Sequence, residues 1–206
     1  LVVLPIELDS TGTQRLSGGE IRTGFGGSIT LLATDGVLLQ GNVGSGQTAG
    51  DAFIADALSI TVSSTTGSIA IEGRLESASS LSLTAGDISV LTGARLRTSA
   101  PDATVRLNAA DLLFVEAAGT DSGIAPAGTI QTAGLLHLRG TQTVVEGIVQ
   151  SLAGRVLVSA VDGVQITGSI SAGANIDIHA GVNPGSSLAQ LESAVLSKSD
   201  LTTADV

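Results

Sequence analysis

Residues 128–140 read GTIQTAGLLHLRG, and residues 168–181 read GSISAGANIDIHAG. The letters differ but the rhythm is shared. A Gly is followed two residues later by an apolar residue, then a small turn, then apolar–x–apolar, then a second small turn. Repetition of this kind constrains a chain more than any local propensity, because each unit must present the same face to its neighbours. A polar residue followed by a small one closes the unit repeatedly: Gln40-Gly41, Glu72-Gly73, Thr92-Gly93, Glu116-Ala117, Glu146-Gly147 and Thr167-Gly168.

Three short apolar-alternating segments flank each of these points. The first kind reads ITLLA (29–33), SITVS (59–63), LSLTA (81–85), TVRLNA (104–109), LHLRG (136–140), VLVSA (156–160) and IDIHA (176–180). The second is VLLQ, IAIE, SVLT, LFVE, VVE and VQIT; the third is NVGS, RLES, RLRTS, TIQT, IVQS and SISA. Period-two alternation marks strands, and helical periodicity is absent from 26 to 181. Between the first and second kinds lie ATDG, STTG, TAGD and AVDG. These read as turns in which Gly accepts positive φ.

The expected fold is all-β: a right-handed parallel β-helix (β-solenoid), with three short strands per rung of about 20 residues. Ile29, Leu31, Val37, Leu39 and Val43 point inward, and one rung later Ile60, Val62, Ile69, Ile71 and Leu75 do the same. Burying each contributes roughly 1.5–3 kcal/mol, while ordering a residue costs about 1–2 kcal/mol. A single rung therefore cannot fold, and a stack can. An antiparallel sandwich would call for hairpin turns and would not fix a Gly after every second strand. Composition agrees with a narrow core. The chain lacks Cys, Met, Trp and Tyr, and its three Phe are Phe25, Phe53 and Phe114. Aliphatic side chains must fill the interior.

At these residues the chain resembles the β-helical shafts of large bacterial surface adhesins of the filamentous-haemagglutinin type, exported by two-partner secretion. The segments that carry the resemblance are GRLESASSLSLTAGD, GTIQTAGLLHLRG, GIVQSLAGRVLVSAVDG and GSISAGANIDIHAG. They span about 26–181. The Asn-rich character of such shafts is missing, since the asparagines are Asn42, Asn108, Asn175 and Asn183, and Asn183-Pro184 does not make a secretion domain. The resemblance implies a non-catalytic structural shaft of an extracellular or cell-surface bacterial protein. Its partners would be flanking repeats of a larger chain and a host or bacterial surface ligand. A chain that does not open on Met fits a fragment or a processed protein.

The domain reading is an irregular N-terminal rung or cap (1–25), the solenoid (26–181) and a C-terminal cap or linker (182–206). Loops interrupt the solenoid near 47–57 and 118–129, and Phe53 and Ile54 are expected to fold back against its side. In SSLAQLESAVLSKSDL, Ser187 and Gln190 stand at capping-box spacing, with Leu188, Leu191 and Val195 on one face. They predict a short helix that covers the open end of the stack or links onward.

Candidate chemistry is sparse. The formal charge is −10 and the arginines are scattered, which argues against nucleic acid. No apolar run of about 18 residues occurs, so the chain is not expected to span a membrane. His137 and His179 fall at outward positions two rungs apart in different columns and read as surface histidines. Glu116 and Glu146 fall in one outward column on adjacent rungs. They are the nearest thing to the paired carboxylates of a polysaccharide-degrading or glycan-binding β-helix, which is the alternative function; a self-assembling extracellular filament or matrix protein is another. No hydroxyl–base pair, metal cluster or cofactor motif is legible, so catalytic, cofactor and metal residues are all expected to be absent. Thr30, Thr61 and Ser82, with Ser63 and Thr84 beside them, form outward hydroxyl columns that Leu32, Arg106 and His137 interrupt.

Overall fold

The computed structural model describes residues 7–8, 14–16, 19–23, 26–44, 46–49, 52–119 and 125–197. Much of the expected N-terminal rung, part of the 118–129 loop and the chain after 197 lie outside the described residues, as do the side chains of Phe53 and Val195. The described chain is all-β apart from one short helix. Nineteen of its strands join in one hydrogen-bonded sheet. Pairing is parallel throughout that sheet except where Glu7–Leu8 meets Gln14–Leu16.

The strands fall into three solenoid-like ladders. The first runs through Ser28–Ala33, Ala57–Ser64, 80–85, Thr104–Ala109, 135–140, 156–160 and Ile176–Ala180. The second runs through Gly36–Leu39, Ser68–Ile71, Ile88–Val90, Leu112–Val115, 142–145 and 163–166. The third runs through Asn42–Val43, 74–77, Arg95–Thr98, Thr129–Thr132, Ile148–Ser151 and Ser169–Ala172. These are the three kinds of segment seen in the sequence, in the same order.

Register explains the alternation. Leu39, Ile71, Val90, Val115, Val145 and Ile166 form one file in the second ladder. Val43, Leu75, Leu96, Ile130, Val149 and Ile170 form one in the third. The ladders enclose a single aliphatic core with no aromatic member. Each inward residue packs on like residues above and below, so the files stack without large side chains. The stack ends at its last strands. There Ile166, Ile176 and Ile178 are 36%, 44% and 47% exposed, although they occupy inward positions.

One inward file is polar. Ser77, Thr98, Thr132 and Ser151 close the third ladder, and all are buried. Their hydroxyls serve the corner that leads back to the first ladder. Thr98 Oγ1 donates to Thr132 Oγ1 at 2.7 Å, and Ser151 Oγ accepts from Gly154 N–H at 3.0 Å. A hydroxyl replaces an aliphatic group there because the turning backbone would otherwise leave buried groups unpaired.

The recurring glycines have a different cause from the one the turns suggested. Gly36, Gly67, Gly86 and Gly163 do not adopt positive φ; Gly19, Gly26, Gly44, Gly93 and Gly181 do. What most corner glycines supply is closeness. A Cβ on Gly147 would lie 2.3 Å from the Gly128 carbonyl oxygen, and one on Gly168 would lie 2.2 Å from that of Gly147. Strands stacked at about 4.8 Å leave no room there for a side chain.

The 47–57 insertion is an antiparallel hairpin, Gly46–Ala49 with Ala52–Ala55. Ile54 is half-exposed on it, and the hairpin touches the stack where Ala55 N–H donates to Ser99 Oγ at 3.4 Å. The helix α1 (Leu188–Ser197) forms where the capping box predicts. Ser187 N–H donates to Gln190 Oε1 at 2.7 Å, and Gln190 N–H to Ser187 Oγ at 3.2 Å. Through Glu192 it lies on the outward face of the first ladder, leaving the inward residues of the last strands exposed.

Candidate functional site

Alternation on the first ladder leaves two outward files. One runs Thr30, Thr61, Ser82, Arg106, His137, Leu157, Asp177; the other runs Leu32, Ser63, Thr84, Asn108, Arg139, Ser159, His179. Toward the start of the chain the face carries mostly hydroxyls. From Arg106 onward, Ser159 apart, it carries long, amide or titratable side chains, and there the segment 181–197 reaches it through Pro184, Ser186 and Glu192.

Arg106 meets Glu192 of α1 side-on: Nε–H donates to Oε1 at 2.8 Å and Nη2–H to Oε2 at 3.0 Å. Nδ1 of His137 lies 3.1 Å from the same Oε1, and its Nε2 lies 3.0 Å from Ser159 Oγ. The guanidinium of Arg139 donates to the backbone carbonyls of Pro184 and Ser186 in the segment before the helix. One guanidinium therefore grips the helix and a second grips the turn segment leading into it.

Burial lowers the pKa of His137, and the carboxylate of Glu192 only partly opposes this. Burial would raise Glu192, but the hydrogen bonds from Arg106 and His137 outweigh it and hold the carboxyl below its ordinary value. Glu192 is thus the ionised acceptor. Nδ1 of neutral His137 carries the proton, and Nε2 accepts from the Ser159 hydroxyl.

His137 was expected at the surface; its position is outward, as read, but the helix buries it completely. His179 is half-buried, and its Nε2 is shielded with no partner. No hydroxyl–base pair was legible in the sequence, yet the structure makes one from Ser159 and His137. Hydroxyl, imidazole and carboxylate stand in the order that activates a serine nucleophile. The surroundings are those of a fastening. Ser159 and His137 are both fully buried, so an acyl donor has no approach to Oγ. Both oxygens of Glu192 are held by Arg106, and Ser159 lies within a regular strand.

Glu116 and Glu146 follow the paired residues Val115 and Val145, as expected. The Glu116 carboxylate turns back to accept from Thr92 N–H at 2.6 Å. It caps a turn instead of facing a groove. Among the described residues no three His, Cys, Asp or Glu gather as a metal site, and no helix is long and apolar enough to cross a membrane.

The Ser159–His137–Glu192 chain escaped the sequence reading because its members are separated by 22 and 55 residues. The available signal was the interruption of the hydroxyl columns by Arg106 and His137. No family model matches the chain, and no curated protein or solved structure matches it.

Proposed function

We propose that this chain is a structural shaft segment: a right-handed parallel β-solenoid with three strands per rung of about 20 residues, contributing length and stiffness without catalysis. We place it in a secreted or cell-surface adhesin-like bacterial protein, joined to flanking repeats that carry ligand-binding parts. The observation that supports this best is the unbroken register of the inward files over the stack. A chain that assigns its inward positions to packing and its corner positions to glycine is built for axial repetition, at about 4.8 Å per rung. The burial of Ser159 and His137 and the capping role of Glu116 support the non-catalytic part.

Incubating the purified chain with a panel of polysaccharides and short esters, with product analysis, tests the reading. No turnover is expected. Turnover lost in Glu116→Gln, Glu146→Gln or Ser159→Ala would replace the shaft with an enzyme. Labelling intact producing cells with a membrane-impermeant reagent tests the location; a chain protected until lysis would remove it from the surface.

A further inference from the structure

The two ends of the stack differ. At the start, Ile21, Ile29, Val37 and Leu39 are buried, and Glu7–Leu8 folds back antiparallel onto Gln14–Leu16. At the other end Ile166, Ile176 and Ile178 are exposed at inward positions. There the strands 163–166, Ser169–Ala172 and Ile176–Ala180 are each paired on one side alone among the described residues. The chain does not cross this end as it leaves. Gly181 takes a left-handed φ of 75°, and Val182 N–H donates to the Ala160 carbonyl at 3.1 Å. Pro184 and Ser186 are then held by Arg139, which lies further from the end than Ser159 and His179 in the same file. We infer that this end receives the same end of a second copy, so that the chain forms a tail-to-tail dimer about a two-fold axis through Ile178.

Strand edges without a partner, backed by uncovered apolar side chains, invite pairing with another chain. Head-to-tail joining would need a second open end, and the head is closed. Tail-to-tail joining is isologous, so Ile176–Ala180 meets its own copy antiparallel. Alternation then limits the register, because inward residues must face inward residues. Three registers keep most of the strand paired. Centred on Asp177, the strand sets two carboxylates face to face. Centred on His179, it sets two imidazoles face to face and leaves Asp177 beyond the pairing. Centred on Ile178, it sets Asp177 opposite the partner's His179 twice over, with Ile178 against Ile178 and Ile176 against Ala180. Opposite charges across a strand pair stabilise it and like charges weaken it. An imidazole can donate to a carboxylate whether or not it is protonated. Asp177 and His179 are both half-buried, and neither joins an ion pair among the described residues. The same axis carries Ser169–Ala172 over 163–166 of the second copy, so that Ile170, Val164 and Ile166 close the core that the last strands leave open.

The inference needs the observed ladders and not the shaft reading, so a monomer would leave that reading standing. Sedimentation equilibrium of the 206-residue chain tests it. One layer of strands from each copy is a small interface, of the weakly associating class, so a dissociation constant of about 10–100 μM is expected. Asp177→Lys and His179→Asp each change both cross-strand pairs and should weaken the dimer about tenfold. The two together exchange the charges and should restore it. Distances between copies fix the geometry independently. The chain has no Cys, so Thr61→Cys or Ser82→Cys carries a single spin label. Thr61 and Ser82 are successive members of the file that ends at Asp177. Their label pairs should therefore stand about 53 and 43 Å apart at about 4.8 Å per strand. These labels lie far from the joined ends, so the distances stand even where a charge variant folds poorly. A monomer at about 500 μM overturns the inference, including one whose last strands are protected from hydrogen exchange by the chain's own residues. So do equal Thr61 and Ser82 distances, or a double variant that associates no better than either single one.

Discussion

Replacing Gly147 by Ala puts a methyl group 2.3 Å from the Gly128 carbonyl oxygen, 2.6 Å from that of Glu116 and 2.9 Å from Val115 Cγ1. A relaxed carbon–oxygen contact needs about 3.3 Å or more, so the strands must part by about 1 Å. Two of the three obstacles are backbone and cannot swing away. Parting also stretches the bonds from Gly147 N–H to the Val115 carbonyl and from Ile148 N–H to the Gly128 carbonyl, each 2.9 Å. Overpacking costs about 1–3 kcal/mol and a weakened hydrogen bond about 0.5–1.5 kcal/mol; a loss of about 3 kcal/mol follows. For a chain of this size that lowers the melting temperature by about 6–12 °C. Gly163→Ala is the internal control. Nothing lies within 4 Å of its added Cβ, and its φ is not left-handed. It should gain about 0.4–1 kcal/mol by narrowing the unfolded ensemble. Thermal melts followed by circular dichroism compare the two. Equal shifts, or a tolerated Gly147→Ala, would refute the claim that corner glycines are set by backbone contact.

Ile71→Asp should cost several kcal/mol, because it puts an unpaired charge into a fully buried file. Ile166→Asp should cost much less, since the same file opens to solvent there; equal losses in denaturant melts would contradict the exposed end. Glu192→Ala should release α1 and leave the ladders intact, read as faster hydrogen exchange confined to 188–197. The fastening should also loosen in acid. Both His137 and Glu192 have folded pKa values below their ordinary ones, so protonation favours the undocked helix in each case. Protection of the helix amides, corrected for intrinsic exchange, should fall as pH drops below 6.5 and further below 4.5. Constant protection across that window would disprove the coupling.

The ladders were legible because a stack must repeat itself. Each inward residue, from Ile29 to Ile178, is constrained by the same few neighbours, so its type recurs at every return of the chain. The corner glycines were legible as positions but not as a mechanism, since Gly147 and Gly163 look alike in sequence and differ only in what lies above them. The site under α1 was not legible, because it is written once. Arg106, His137, Ser159 and Glu192 belong to no repeated pattern, and nothing in the sequence says which strands the helix will lie against. What sequence did show was the place where the hydroxyl columns break. The capping box was readable because its hydrogen bonds are local, whereas the helix's destination depends on contacts 55 and 86 residues away.

The central claim is that the chain stacks one strand spacing at a time, and electron–electron distances between spin labels measure this directly. Asn42, Arg74, Arg95, Thr129, Ile148 and Ser169 are successive members of one outward file in the third ladder. A label fixed at Asn42 and a second moved to Thr129, Ile148 and Ser169 should give backbone separations of about 14, 19 and 24 Å, rising by about 4.8 Å per step. The steps should stay equal although the second label moves 19 residues and then 21 along the chain. Unequal increments, or a distance that fails to grow from Ile148 to Ser169, would contradict the stack and the shaft built on it.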